Sequence, residues 1–167
     1  TNRLYGFKDD PSNMTNASAL TESSLVNRTN NTGTVTQGWY VVLASTEKVL
    51  AAADVFNKNV LFTTFTPTTS VTCGAGGGTA KLYAINMLNG DAAVNLANGA
   101  VLDPGQSASA YAKSIGTGIP SKPVVVMKVT GGSATSWAVT GTTDQQITNT
   151  QIPTGAPKQL VGWREVF

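Results

Sequence analysis

Short stretches in which apolar and polar residues alternate dominate this chain. Alternation with a period of two is the pattern of a β-strand with one buried face and one exposed face. No stretch shows a convincing apolar stripe of helical period over more than about three turns. The pattern therefore predicts an all-β fold of short antiparallel strands. The predicted strands are residues 3–7, 38–44, 53–56, 60–65, 81–87, 122–130, 135–141 and 159–167.

Three turn signals join these strands into predicted hairpins. Asn57-Lys58-Asn59 lies between two predicted strands, and Gly131-Gly132 lies between two others. Asn89-Gly90 follows the strand 81–87, and we expect both of its residues to adopt positive φ, with residues 92–96 returning as the partner strand. Residues 97–120 and 142–150 carry no clear strand pattern.

Two all-β architectures fit this spacing. Turn signals every eight to twelve residues, roughly, are typical of β-sandwiches and of β-propeller blades. The stretches "RLYGFKDD" (3–10) and "KLYAINML" (81–88) share a basic-Leu-Tyr core and lie 78 residues apart. That distance is close to two propeller blades of about 40 to 45 residues each. The sequence therefore favours a partial propeller of several four-stranded blades, with a β-sandwich as the alternative.

Residues 1–167 fit one all-β domain or a fragment of a larger propeller. Residues 9–38 are rich in Asn, Thr and Ser, and we expect a long polar loop there, with a short helix or strand within 17–26. The chain does not open with a basic and then apolar segment, so we expect a mature, processed or excised segment. No apolar run approaches the 18 or so residues of a membrane helix.

The composition is poor in charge. Charged residues make up 12% of the chain, and 11 Lys and Arg against 9 Asp and Glu give a net charge of +2. A charge this weak and scattered does not favour nucleic acid as a partner. A surface built from Thr, Asn, Ser and Gly instead is common on secreted and cell-surface β-proteins.

Histidine is absent, which excludes Ser-His-Asp and Cys-His catalysis and histidine metal ligation. Cys73 is the single cysteine, so no disulfide forms within the chain and no thiolate zinc site is possible. Cys73 is then either buried and free or bonded to another chain.

Glycines 74 and 76–78 are interpreted as a turn. A nucleotide-binding glycine loop precedes a helix whose N-terminus meets the phosphates, whereas a strand follows here. Asp9-Asp10 precedes a proline, as turn residues do, and the other carboxylates are dispersed. No segment has the spacing of a calcium loop. The sequence therefore predicts no catalytic, cofactor-binding or metal-binding residues.

Three tryptophans, Trp39, Trp137 and Trp163, lie within apolar strands. A carbohydrate-stacking face is one interpretation, and packing in the core is the one we favour.

Several blocks resemble the C-terminal part of the PilY/PilC-type tip-associated proteins of bacterial type IV pili. They are "GWYVVLASTEKVLAAADVFNKNVLFTTFTP" (38–67), the loop with Cys73 and its glycines, "KLYAINMLNG" (81–90) and the closing "GWREVF" (162–167). "LYGF" (4–7) resembles a blade-closing strand of that family. The resemblance implies a quinoprotein-like propeller with a role in pilus biogenesis or pilus-tip adhesion, outside the cell or at the outer membrane, through binding rather than catalysis. The family's calcium-binding loop has no counterpart here.

An open arc of about four blades would expose two sheet edges and apolar blade faces. We therefore expect protein partners: the remaining propeller chain or domain, pilus subunits, and a host or surface receptor. An inter-chain disulfide through Cys73 is one possible link. The alternative function is a β-sandwich accessory subunit of an extracellular filament, and the third hypothesis is a glycan-cleaving enzyme that uses dispersed carboxylates.

Overall fold

The computed structural model describes residues 1–8, 20–30, 33–68 and 77–154. Several predictions from the sequence lie outside these residues: the turn at Asp9-Asp10, the state of Cys73, the packing of Trp163 and the closing strand 159–167.

The described chain is all-β and its sheets are mainly antiparallel, as the alternating pattern predicted. A short 3-10 helix at Glu22–Ser24 accompanies the strands. The strands are β1 (Arg3–Phe7), β2 (Val26–Asn27), β3 (Gly38–Val42), β4 (Lys48–Val49), β5 (Asp54–Phe56), β6 (Asn59–Pro67), β7 (Gly78–Asn86), β8 (Val94–Asn95), β9 (Ala100–Val101), β10 (Lys113–Thr117), β11 (Val124–Thr130), β12 (Ser133–Gly141) and β13 (Ile147–Ile152).

A central sheet with the order β10-β7-β6-β4 organises the molecule, and β5 also pairs with β6. β6 and β7 are antiparallel over nine residues each, from Asn59↔Asn86 to Pro67↔Gly78. The two-residue turn Asn57-Lys58 joins β5 to β6, and both residues have positive φ, 48° and 64°. This is the geometry of a type I′ hairpin turn, and it confirms the hairpin predicted at this position.

Both faces of the β6–β7 pair are buried. One face contributes Leu61 and Leu82 to a core that also contains Ala138 and Ile152 of the sheet β11-β12-β13. The opposite face meets residues of the sheet β1-β3-β2. There Phe62, Tyr83 and Ile85 pack with Trp39, Val41 and Leu43, all of them buried. The central sheet thus lies between two others, in a stack of three layers.

The loop after β7 differs from the prediction. Gly90 has a φ of 74°, but Asn89 is not among the residues with positive φ. The Asn86 amide donates to the Asp91 carbonyl at 2.8 Å, so the loop is wider than a two-residue turn. Asparagine side chains explain the difference, because Asn86 Oδ1 accepts from the Leu88 amide and Asn89 Oδ1 from the Asp91 amide. These side-chain to backbone hydrogen bonds stabilise this wider loop in place of the predicted two-residue turn.

The predicted return strand 92–96 was also wrong for most of its length. It touches β7 through a single bridge, Ile85↔Ala92, and β8 then forms a separate hairpin with β9. Asn95 and Asn98 close that hairpin by accepting hydrogen bonds from nearby backbone amides. The free edge of β7 pairs with β10 instead, which lies in a segment without a recognised strand pattern.

The polar segment 142–150 contains a strand that sequence reasoning missed. β13 alternates Thr148, Thr150 and Ile152 with more exposed residues, and the last two are buried. Threonine occupies positions of the buried face where an apolar residue would have made the strand alternation visible in the sequence.

In the long polar stretch 9–38, the described residues 20–30 contain the 3-10 helix and β2, which pairs with β3 in parallel. A short helix or strand was expected there.

Gly90 and Gly132 offer a matched test of packing around the β7 loop. Both have positive φ, 74° and 80°. A Cβ at Gly90 would lie 2.7 Å from the Trp39 ring, whereas a Cβ at Gly132 would meet nothing within 4 Å. We expect Gly90→Ala to lower the free energy of unfolding by about 3–5 kcal/mol, and Gly132→Ala by about 1–2 kcal/mol from backbone conformation alone. Urea denaturation of both variants measures the difference, and equal losses would contradict it.

Candidate functional site

A carboxylate, Glu47, is buried where the loop after β3 meets the central sheet. Its Oε1 accepts hydrogen bonds from Thr64 Oγ1 at 2.5 Å and from Tyr83 OH at 2.9 Å. Its Oε2 accepts from the Ala44 amide at 3.1 Å and lies 3.6 Å from Lys81 Nζ. Every oxygen of the buried carboxylate therefore has a partner, as a charge in this position requires.

The environment of Glu47 keeps it ionised. Burial acts to raise its pKa, but the hydrogen bonds from Thr64, Tyr83 and Ala44 and the charge of Lys81 outweigh burial, so the pKa lies below its ordinary value. Burial, together with the neighbouring carboxylate, raises the pKa of the Tyr83 phenol. A hydroxyl that stays protonated beside a carboxylate that stays ionised is a stable structural contact rather than a proton-transfer pair at neutral pH.

Glu47 should make stability depend on acid pH. As the pH falls through about 4.5, the ordinary value for glutamate, the unfolded chain takes up a proton that the folded protein still resists. Its stabilisation is therefore complete above this range and is lost as the pH falls toward the folded-state pKa.

We expect Glu47→Gln to cost about 1–3 kcal/mol at pH 7, because the amide cannot accept every hydrogen bond the carboxylate accepts. We also expect this variant to lose less stability than the wild type between pH 7 and acid pH. Urea denaturation at several pH values tests this, with exposed Asp144→Asn as the control. An unchanged pH dependence in Glu47→Gln would contradict the assignment.

A second buried ion pair joins the polar stretch before β3 to the loop after β7. Arg28 and Asp91 are 3% and 4% exposed and form a salt bridge. Asp91 Oδ2 also accepts from Asn89 Nδ2 at 2.9 Å and from the Gly105 amide at 2.8 Å. Arg28 donates to the Gly33 carbonyl at 2.6 Å. The pair thus links three loops, which follow β2, β7 and β9 in the chain.

Two arginine–carboxylate pairs with opposite burial allow a direct comparison. We expect Asp91→Asn to destabilise the protein by about 3–5 kcal/mol, because it leaves the Arg28 charge buried without its counter-ion. Glu22→Gln interrupts the exposed pair between Arg3 and Glu22, and its stability should stay near that of the wild type. Thermal and urea denaturation measure both, and a small effect of Asp91→Asn would contradict this interpretation.

The outer face of the sheet β1-β3-β2 carries exposed aromatic residues, and the described segment 20–25 lies beside them, with Tyr5 OH donating to Glu22 Oε2 at 2.8 Å. Tyr5 and Phe7 are 45% and 69% exposed, and together with Leu20 and Leu25 they line a groove of about 500 Å³. Tyr5 also contacts the ring of Tyr40 at 5.9 Å between centroids. We call Tyr5, Phe7, Leu20, Leu25 and Tyr40 the N-terminal end face.

The outer face of the sheet β11-β12-β13 also carries a row of apolar side chains, with polar Asn149 and Gln151 on the same face. Val124 pairs with Val139, and Val126 pairs with Trp137, all on the side opposite to buried Ala138. Val124, Val126 and Ile147 are 55%, 47% and 77% exposed. Val124, Val126, Trp137, Val139 and Ile147 form what we call the C-terminal end face. It lies at the opposite end of the stack from the N-terminal end face.

The sequence predicted core positions for its tryptophans, and the structure distinguishes the two that it describes. Trp39 is 3% exposed, and its Nε1 donates to the Met87 carbonyl at 3.1 Å. This confirms a core position. Trp137 is half-buried on the C-terminal end face.

Sequence reasoning did not single out Arg28 or Glu47, because a charged residue within a polar segment carries no signal that it will be buried.

Within the described ranges, no three His, Cys, Asp or Glu residues lie close enough to hold a metal ion. In the same part of the chain, no helix has the length and apolar character needed to cross a membrane. Comparisons of the chain with protein-family models, with curated proteins and with solved structures find no match.

Proposed function

We propose that this chain is a non-enzymatic structural and interaction protein whose stack of sheets is continued by other protein. The observation that carries the proposal is the pair of apolar end faces. Single exposed apolar residues are normal on soluble proteins, but contiguous apolar patches mark interaction surfaces. Each end face is the outer side of a sheet whose inner side is already packed in a core. Another sheet is therefore the natural partner of each face.

We further propose that the central sheet and the sheet β11-β12-β13 are propeller blades; the sheet β1-β3-β2, in which β2 pairs with β3 in parallel, does not share their strand order. Consecutive strands pair in β11-β12-β13, and β4, β6, β7 and β10 neighbour each other in chain order. This meander order supports blades over the crossovers of a Greek-key sandwich. In this proposal the blades that complete the propeller belong to another chain or domain and cover the end faces.

The sequence resemblance to PilY/PilC-type proteins supports a more specific role. We propose that the chain acts in type IV pilus biogenesis or pilus-tip adhesion, outside a bacterial cell or at its outer membrane. Its partners would be the remaining propeller, pilus subunits and a host or surface receptor. An inter-chain disulfide through Cys73, which lies outside the described residues, would be a further link to a partner.

The buried carboxylates favour binding over catalysis. The oxygens of Glu47 and Asp91 are engaged by neighbouring side chains and backbone amides of the same chain. A catalytic acid or base must reach its substrate, whereas Glu47 is fully buried and the Asp91 carboxylate, although Asp91 lines a pocket, is occupied by Arg28, Asn89 and Gly105. They stabilise loops against the central sheet instead.

Val126→Lys tests the role of the C-terminal end face. A lysine in place of Val126 puts a charge on this face. A covering sheet would have to remove water from the ammonium group, and that desolvation costs free energy. In the bacterium that carries the gene, deleting the gene should reduce surface pili and adhesion. Wild-type complementation should restore both, and Val126→Lys should not. Electron microscopy of pili and an adhesion assay provide the measurements.

The matched control is Val55→Lys in β5, where the valine is 58% exposed but lies on neither end face. It should complement as well as the wild type. Denaturation of the purified variants establishes that both fold. Normal pili and adhesion in the deletion strain would overturn the proposed role in the pilus, and full complementation by Val126→Lys would overturn the role of the end face.

A further inference from the structure

A pocket of about 260 Å³ opens at the end of the central sheet, where the turn before β6, the loop after β7 and the segment after β9 meet. Asparagine side chains dominate its polar wall, among them Asn57, Asn59 and Asn86. Val101, Pro104 and other apolar groups line the same pocket. The pocket therefore presents both amide groups and C–H surface.

Asn59 is the least expected member of the pocket. It is only 8% exposed, yet its side-chain amide makes no hydrogen bond within the described part of the chain. The amide is not among the fully buried polar atoms that lack a hydrogen-bond partner, so it is accessible through the pocket and open to a ligand. Since Asn59 lines the pocket, a ligand that both donates and accepts hydrogen bonds would satisfy it.

Other polar groups of the pocket are also available. Asn86 uses its Oδ1 to accept from the Leu88 amide, which leaves its NH₂ group to donate into the pocket. The exposed side chains of Asn57 and Asp103 form no hydrogen bond with described residues. The available groups thus include both donors and acceptors, because each asparagine amide carries an acceptor oxygen and an NH₂ donor.

The charges around the pocket disfavour ions of either sign. Asp91 lines the pocket, but its carboxylate is neutralised by Arg28 and bonded to Asn89 and Gly105. Asp103 is then the one carboxylate of the pocket not paired by described residues, and the Lys58 ammonium lines the same pocket. A cation would find a single unpaired carboxylate, and the opposite charges of Asp103 and Lys58 leave the pocket without a net charge to attract either kind of ion.

We infer that this pocket binds a saccharide residue. Neighbouring sugar hydroxyls both donate and accept, as do the free amides, and the apolar lining residues suit the C–H groups of a pyranose ring. The volume lies below the range of about 300–1,000 Å³ typical of pockets for drug-sized ligands, which points to a single small ring. The pocket is formed entirely by this chain, so the inference does not depend on the proposed pilus role or on covered end faces.

NMR titration of the full 167-residue chain with a panel of free neutral hexoses and N-acetylhexosamines tests the inference. We expect saturable shifts of backbone amides around the pocket at millimolar concentrations of at least one sugar. Asn59→Ala and Asp103→Ala should each weaken the binding of that sugar by about fivefold to tenfold, which is the effect of losing one hydrogen bond.

Asn149→Ala is the matched control, because this asparagine is exposed on β13 and lies outside the pocket. It should bind the sugar as the wild type does. Asp103 is exposed and makes no structural hydrogen bond with described residues, so its variant keeps the test valid if Asn59→Ala unfolds. The absence of saturable binding by every sugar, binding that both pocket variants leave unchanged, or saturable binding of Ca²⁺ alone would overturn the inference.

Discussion

The antiparallel pairing of β6 and β7 is the interaction on which the rest of the structure depends. The two strands stay in register over nine residues, and both faces of the pair are covered by other sheets. Leu61 and Leu82 face one covering sheet, while Phe62 and Tyr83 stack at 4.8 Å on the other side. Because this pair is excluded from water on both sides, each polar group within it needs an internal partner.

Glu47 meets that requirement for Thr64 and Tyr83 and binds the loop after β3 at the same time. The contact extends to the chain start, where Asn2 donates to the Glu47 carbonyl at 2.7 Å. Asp91 plays the corresponding part at another loop through Arg28. These polar contacts hold loops in place but contribute no surface to the two ends of the stack. Apolar side chains stay exposed at both ends, and they are the observation behind the proposal that other sheets continue the stack.

Sequence pattern was sufficient wherever apolar alternation was strong. β1, β3, β6, β11 and β12 were predicted from alternation and from turn residues, and the turn at Asn57-Lys58 followed from its residue types. β10 and β13 were missed, because threonine, serine and glycine replace the apolar residues of one face. The asparagine-lined pocket could not be predicted either, since Asn57 and Asn59 at one turn meet Asn86 and Asn89 at another, and each is ordinary near a turn when taken alone.

The sequence by itself determined the all-β class, most strand positions and the absence of histidine chemistry, because these follow from local alternation and composition. Only the tertiary structure decided which strands pair and which charges are buried. Arg28 and Asp91 are 63 positions apart in the chain, and nothing local to either residue indicates that they meet. Burial of a charge depends on what the other sheets cover, and that is a property of long-range packing.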